Sequence, residues 1–541
     1  MRITKCLLII MKTYFGGEKL GTVEYRVRPH ADIELGFARE ELDYYVTLPS
    51  AGVTEETGVI LTIPGFGGLA DSVYQSEKLN PYLAEKYKCI VVSMNYFGIY
   101  RSMETRLDNQ FIGNMERIYG VPATYWDDIS LDSDFYMKVG ELLERKGITA
   151  LDHRCQALMI TAREEYQSFG FLPALDCLTV LGEVLRKYPL ANKKKIIAYG
   201  SSYGGYIAML CGKFAPDTFS VIIDNSGFSR SEMKYIAGRE LLESDFAVTV
   251  NVKNKSFTLP LAYNNPWTIM DETSPHYFGD SHKQIRNLLL REHRVKSNTR
   301  YYIFHCEEDQ IASVADKDKV ATLLNMFNPI SYKRVGKQDI DGVLFKTYAH
   351  AMNASLRKLF DHVAEQDGEY GLVKESIHNE FTMNKTNSYN CGNKNYVFNF
   401  NDDYTMNVTI TDNIKTDYNL IGSFEMMPQL LDICDSIDEA LNYVVVKVSN
   451  DEYRDVFGVM LDIIEAFTAI NLQINAFSGF LSKNDLFPNS EKLKNGLLKV
   501  IEHFNNENWP LFNSQLTEQV VPSFLMWKNE MHTVFSPYLT H

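Results

Sequence analysis

From about residue 21 to 366, short apolar runs alternate with helical periodicities, the pattern of a mainly parallel sheet covered by helices. The runs that predict strands are EYRVR (24–28), LDYYVTL (42–48), VILTI (59–63), CIVVSM (89–94), KIIAYG (195–200), FSVIID (219–224), RYYIFH (300–305) and LFKTY (344–348). The first two predict an antiparallel entry to the sheet. Amphipathic helices are expected between the others, at 173–188, at 203–214 and from 351 onward. Two connections, near 101–170 and 228–298, are far longer than usual and carry Tyr125, Trp126, Tyr136, Tyr263, Trp267 and Tyr277. Both follow strands whose C-terminal ends should face a site, which predicts a cap; the alternative is that the rings only build the insertions' own small core.

Further on, Tyr396, Phe398 and Phe400 alternate with polar residues, and Asn401-Asp402-Asp403 supplies a turn before Met406, Val408 and Ile410, predicting a β-hairpin near 395–411. After about 420 the apolar period becomes helical, as in Leu430, Ile433, Ile437 and Leu441, in Val456, Met460, Ile463 and Phe467, and in Leu493, Leu497 and Ile501. The expected division is an N-terminal extension over 1–20, an α/β domain with cap insertions over 21–412, and an all-α helical bundle over 413–541. A chain of 541 residues exceeds what one core supports.

With 54 basic and 69 acidic side chains the formal charge is −15, which repels phosphate backbones and anionic lipid, so nucleic acid is not an expected partner. The eight cysteines include no C-x-x-C pair and no zinc-like spacing, and they read as free thiols with no metal and no cofactor. CLLIIM (6–11) is shorter than a signal-peptide core and is followed by Lys12, so a cytoplasmic location is expected. Asn407-Val408-Thr409 then reads as an accidental sequon. No run approaches the ~18 consecutive apolar residues of a membrane span, so no membrane insertion is expected.

Gly200-Ser201-Ser202-Tyr203-Gly204 fits G-x-S-x-G between a buried strand and a helix, the context of a nucleophile elbow. Ser202 is the expected nucleophile, and Gly200 and Gly204 let strand and helix backbones cross. Ser201 is off the apex. A serine needs a base, and the base needs an orienting acid, in the chain order Ser, acid, His. His350, in a loop after the last expected strand, is the base; Asp309, after RYYIFH, is the acid, and Asp224 at the end of FSVIID is its rival. Glu307 and Glu308 read as solvated charges, His305 as a packing residue, and His362 and His378 as surface residues. Ile63-Pro64-Gly65-Phe66-Gly67-Gly68 follows VILTI, and the N–H groups of Phe66 and Tyr203 are the expected oxyanion donors. Without G-K-[ST] or a full G-x-G-x-x-G, a nucleotide site is poorly supported.

Together TIPGFGG, GSSYGG, HCEED and YAHAMNAS resemble the α/β-hydrolase superfamily over roughly 21–366. The resemblance departs at Cys306, where many members have glycine, which leaves the shape of the acid loop in question. Residues 31–49 with the elbow are similar to an uncharacterised bacterial family of hydrolase-like proteins often encoded near flagellin-glycan genes. That narrower resemblance implies an acyl group on a sugar or glycoprotein as substrate.

The expected chemistry is acyl transfer through Ser202, either to water, as in an esterase, or to a sugar hydroxyl. A serine peptidase and a non-catalytic scaffold are the other readings, the former weakened because no propeller-like repeat precedes the site. The helical tail is the expected surface for self-association or a protein partner.

Overall fold

Side chains alternate between the two faces of a strand, and the inner parallel strands of the central sheet, buried on both faces, are mainly apolar. In the computed structural model the described residues are 21–99, 103–127, 134–161, 163–413, 427–453, 456–477 and 485–536. The expected extension over 1–20 lies outside them.

The strands are β1 (Val23–Val27), β2 (Leu42–Thr47), β3 (Gly58–Ile63), β4 (Cys89–Met94), β5 (Met103–Arg106), β6 (Ala157–Thr161), β7 (Ile196–Ser201), β8 (Val221–Asn225), β9 (Phe246–Val252), β10 (Lys255–Tyr263), β11 (Arg300–Cys306), β12 (Ile330–Val335), β13 (Thr386–Cys391), β14 (Lys394–Phe400) and β15 (Met406–Asp412). The main sheet runs β1-β2-β4-β3-β7-β8-β11-β12. The β1–β2 and β2–β4 pairs are antiparallel and the remaining pairs are parallel. Leu61, Ile63, Ile196 and Ala198 join one core with the helices Phe171–Lys187 and Tyr203–Phe214. Their neighbours Ile60, Ile197 and Tyr199 join the opposite core with the helices Asn80–Tyr87 and Leu356–Gln366.

The last strand differs from the expectation. LFKTY is a loop, in which Asp341 Oδ1 accepts from the amides of Val343, Leu344 and Phe345, so these groups need no ladder. The eighth strand is instead β12, whose sequence ISYKRV is polar because it forms a partly exposed edge. The following helix begins at Leu356 rather than Ala351, because Ala351, Met352 and Asn353 have φ of 57°, 52° and 42°.

The two long insertions do not fold separately. Their strands form one sheet, β5-β6-β10-β9, with helices Asn109–Tyr119 and Asp134–Lys146 packed into its core. Trp126 is buried there, edge-on to Phe111. Phe66 is half-buried and packs against both this core and the main one. After the last helix of the main sheet comes a three-stranded antiparallel sheet, β13-β14-β15. The second and third strands are the expected hairpin, and the first is an addition to it. Tyr396, Phe398 and Phe400 enter the main core against Phe171 and Phe214.

By contact the chain separates into Met1–Asn413 and Ile414–His541. The second unit contains the helices Met427–Ser449, Val456–Phe477, Leu486–Asn505, Trp509–Gln515 and Val521–Phe535 around Trp527, with a core of its own. Val456–Ile474 is long and apolar enough to cross a membrane by length and composition. Its Val456, Met460, Ile463, Phe467, Ile470 and Ile474 are buried among the other helices of the unit. Because each unit carries its own core, a chain ending at Asn413 should be soluble, melt cooperatively and react with a fluorophosphonate probe. Light scattering that finds aggregates, or a folded product that fails to label, would show that the first unit depends on the helices.

Candidate active site

The turn from β7 into the helix Tyr203–Phe214 is set by close backbone crossing. A Cβ at Gly200 would sit 2.1 Å from the Gly204 carbonyl oxygen, and one at Gly204 would sit 2.0 Å from that of Ile63. Neither distance is tolerable. Ser202 takes the apex with φ 55° and ψ −127°, a strained conformation for a residue with a side chain. Its N–H donates to the Asn225 carbonyl at 2.7 Å, which pins the apex to the end of β8.

Ser202 Oγ lies 2.7 Å from His350 Nε2, and His350 Nδ1 lies 2.8 and 3.0 Å from the two oxygens of Asp309. A carboxylate can only accept, so Nδ1 carries the proton and Nε2 offers its lone pair to the serine hydroxyl. Burial pushes the Asp309 carboxyl up in pKa, and the bonds from His350 and from the Ala312 and Ile311 amides outweigh it, leaving the group below its ordinary value. It is a fixed anion facing the ring.

The acid loop is a tight turn closed by the Asp309 N–H on the Cys306 carbonyl at 3.3 Å. Cys306 is buried in the core at the end of β11, so a side chain is accommodated where many α/β-hydrolases have glycine. His305 is fully buried, its Nε2 3.0 Å from the Ala312 carbonyl, and burial lowers its pKa; it props the loop. Glu307 and Glu308 are exposed, as is His378, and His362 is half-exposed.

Asp224 is bonded to other groups than the imidazole. Its Oδ2 is 2.6 Å from Lys317 Nζ, both groups fully buried, and its Oδ1 accepts from Gly227 N–H at 2.8 Å. A Cβ at Gly205 would meet that oxygen at 2.2 Å, so Asp224 is wedged under the elbow. Lys317 was invisible to sequence reasoning, since a lysine in an amphipathic helix reads as solvated. Asn225 was missed too: its Nδ2 donates to Ser201 Oγ at 2.9 Å and to Ala351 O at 3.3 Å, tying the elbow to the histidine turn.

Gly65 approaches Ser202 so closely that a Cβ there would be 3.3 Å from the Ser202 Cβ. That brings Phe66 beside Tyr203, their rings stacked at 4.0 Å and 7°. Among the described residues, neither the Phe66 nor the Tyr203 amide has an acceptor. Tyr203 is anchored by its hydroxyl, which donates to Gln167 Oε1 at 2.8 Å and accepts from Gly170 N–H at 2.6 Å. Phe228 faces the His350 ring at 6.5 Å. Among the described residues no group of three or more His, Cys, Asp or Glu side chains gathers as a metal site.

In chain order the main-sheet strands lie 1-2-4-3-5-6-7-8, with the serine turn after the fifth, the acid loop after the seventh and the histidine turn after the eighth, which is the α/β-hydrolase fold. Within that class the chain belongs to the family described as "Protein of unknown function (DUF2920)", whose model matches residues 23–410. Residues 425–530 match a "Domain of unknown function (DUF8042)". No curated protein matches. Similar solved structures include an acylaminoacyl peptidase of Pyrococcus horikoshii, at 14% identity and TM-score 0.33, covering 68% of this chain and 43% of that one. An arylesterase is similar at 13% identity and TM-score 0.34, covering 68% and 89%. An S-formylglutathione hydrolase from Agrobacterium tumefaciens is similar at 11% and 0.33, covering 66% and 96%. This chain therefore spans less than half the length of the peptidase, and such likenesses carry no argument about its chemistry.

Two outcomes follow from this geometry. Asp224→Asn strands the Lys317 ammonium in the core and should cost about 3–5 kcal/mol of stability by denaturant titration, whereas Asp309→Asn should melt near the wild-type temperature. Comparable losses in both variants would show that Asp309 is equally structural. The second outcome concerns pH. Burial raises Glu165 from 4.5 to about 7 and Asp245 from 3.8 to about 7. Between those values the folded chain holds protons that the unfolded chain has released, so their contribution to stability falls as pH rises from about 4 to 7. Glu165→Gln/Asp245→Asn should therefore melt higher than wild type at pH 8 by more than at pH 4; a pH-independent difference would refute the shifts.

Proposed function

We propose that this protein is a serine hydrolase that cleaves an ester through an acyl-enzyme on Ser202. The observation that carries the reading is the unbroken relay from Asp309 Oδ2 to His350 Nδ1 at 2.8 Å and from His350 Nε2 to Ser202 Oγ at 2.7 Å. In the first step His350 Nε2 takes the hydroxyl proton as Oγ bonds to the ester carbonyl carbon. The carbonyl electrons move to oxygen, where the amides of Phe66 and Tyr203 are the donors available to the developing charge. The imidazolium is stabilised by Asp309. It then protonates the departing alcohol as the ester C–O bond breaks, leaving the acyl group on Ser202. Water, deprotonated by the same ring, releases the acid and restores the serine. A sugar hydroxyl in place of that water would make the reaction an acyl transfer by the same residues. An amide would demand the same sequence of proton transfers with a poorer leaving group, which makes peptidase activity the less favoured outcome.

Ser202→Ala and His350→Ala should each lower ester hydrolysis by several orders of magnitude, roughly 10⁴ or more, with the double variant little worse because the residues act as a unit. Fluorophosphonate labelling should disappear with Ser202. Retained turnover of p-nitrophenyl acetate in purified Ser202→Ala would end the proposal.

A further inference from the structure

Each of the three sheets ends in two edge strands, and an open edge is a template on which another strand can pair. β1, β5 and β12 carry charges that oppose such pairing: Glu24 and Arg26, Glu104 and Arg106, Lys333 and Arg334. Both edges of the third sheet are met by imidazoles. His293 Nε2 bonds the Asn390 carbonyl of β13 at 2.7 Å, and the Val408 N–H of β15 donates to His30 Nε2 at 2.9 Å. β9 has neither protection. Its sequence FAVTVNV contains no charge and no proline, and Val248, Thr249, Val250 and Val252 are β-branched.

The hairpin determines which groups this edge presents. β9 and β10 are joined by the two-residue turn Lys253-Asn254, closed by the pair Val252 and Lys255. The closing pair exchanges its backbone bonds within the hairpin, and the alternation of an antiparallel ladder then turns the N–H and C=O of Ala247, Thr249 and Asn251 outward. All three residues are exposed, and among the described residues no group outside the sheet bonds their backbone. Val250 and Val252 point the other way, into the cap core, where a Cβ on Gly140 would meet them at 3.3 and 2.8 Å. The helix Asp134–Lys146 thus holds the strand extended with its edge open.

We propose that two copies of this chain pair along β9, antiparallel about a twofold axis at Thr249. In that register Ala247 faces Asn251 of the second copy and Thr249 faces its twin. The facing pairs exchange about six backbone hydrogen bonds, which joins two four-stranded cap sheets into one. The side chains that meet are small and uncharged, and Thr with Thr is a favourable cross-strand pair. Charge selects a second copy as the occupant. The antiparallel register lays the hairpin end of one copy, with the exposed Lys253 and Lys255, beside the entry to β9 of the other, with the exposed Glu243 and the half-buried Asp245. The axis repeats this match at both ends of the contact. Parallel pairing would set lysine against lysine and acid against acid.

The test uses the full chain in sedimentation velocity and light scattering at micromolar concentrations. Wild type should form a reversible dimer. Thr249→Pro removes an outward N–H and Thr249→Lys places two ammonium groups at the axis; both should be monomeric with unchanged circular dichroism, and either one that folds serves the test. Glu243→Lys should raise the dissociation constant by about three- to tenfold. With oxidised glutathione, Thr249→Cys should give a disulfide-linked dimer and Ala247→Cys, which faces Asn251, should not. A wild type that stays monomeric overturns the inference. So does a dimer that survives both Thr249 substitutions, because self-association would then lie elsewhere on the chain, and so does equal cross-linking through positions 247 and 249, because the register would then be wrong.

Discussion

The crossing of β7 and the helix Tyr203–Phe214 is the constraint on which the site depends. Contacts of 2.0–2.1 Å for any added Cβ leave only glycine at 200 and 204, and the chain between them has just one way to turn, with Ser202 at positive φ. That strain is affordable only because neighbouring elements hold the turn from several sides. Asn225 receives the Ser202 N–H, and Gly65 closes against the same residue from the β3 loop.

Beneath the turn, polar groups rather than packing specify the arrangement. The Asp224–Lys317 pair sits where the Gly205 and Gly227 backbones approach, and the ammonium also donates to the Phe228 carbonyl at 3.3 Å. Two other buried pairs play a comparable part farther out. Arg286 joins Glu34, with the Tyr396 hydroxyl donating to the same carboxylate at 3.0 Å, so the 31–49 segment, the cap's return and the third sheet meet at one charge cluster. Arg39 grips Asp176 with two 2.8 Å bonds, and Asp176 in turn takes the Phe97 N–H. Such pairs add little net stability over apolar packing, but they tolerate few alternative arrangements.

The cap meets the elbow through rings rather than charges. Phe66, Tyr203, Phe169, Phe228 and Tyr235 form one connected aromatic cluster, so a shift of the cap at Tyr235 is felt at Phe66, whose ring stacks on that of Tyr203. Packing of this kind has little room to deform.

The amino-acid sequence by itself determined the features written in local order. Alternation of apolar runs defined most strands of the main sheet, and glycine spacing defined the elbow, where the clash at Gly200 is with Gly204 four residues on, although the clash at Gly204 is with the distant Ile63. The order of Ser202, Asp309 and His350 could be read because Ser202 and Asp309 follow strands that are apolar enough to recognise and His350 comes after both along the chain. What depended on long-range pairing could not. β12 was hidden by the polar residues of a partly exposed edge, and LFKTY mimicked a strand although Asp341 caps its amides. Sequence left Asp224 and Asp309 as rivals, since both end strands and both are acidic. Only the tertiary structure separated them, by bringing Lys317 from 93 residues away to one and the left-handed turn at His350 to the other.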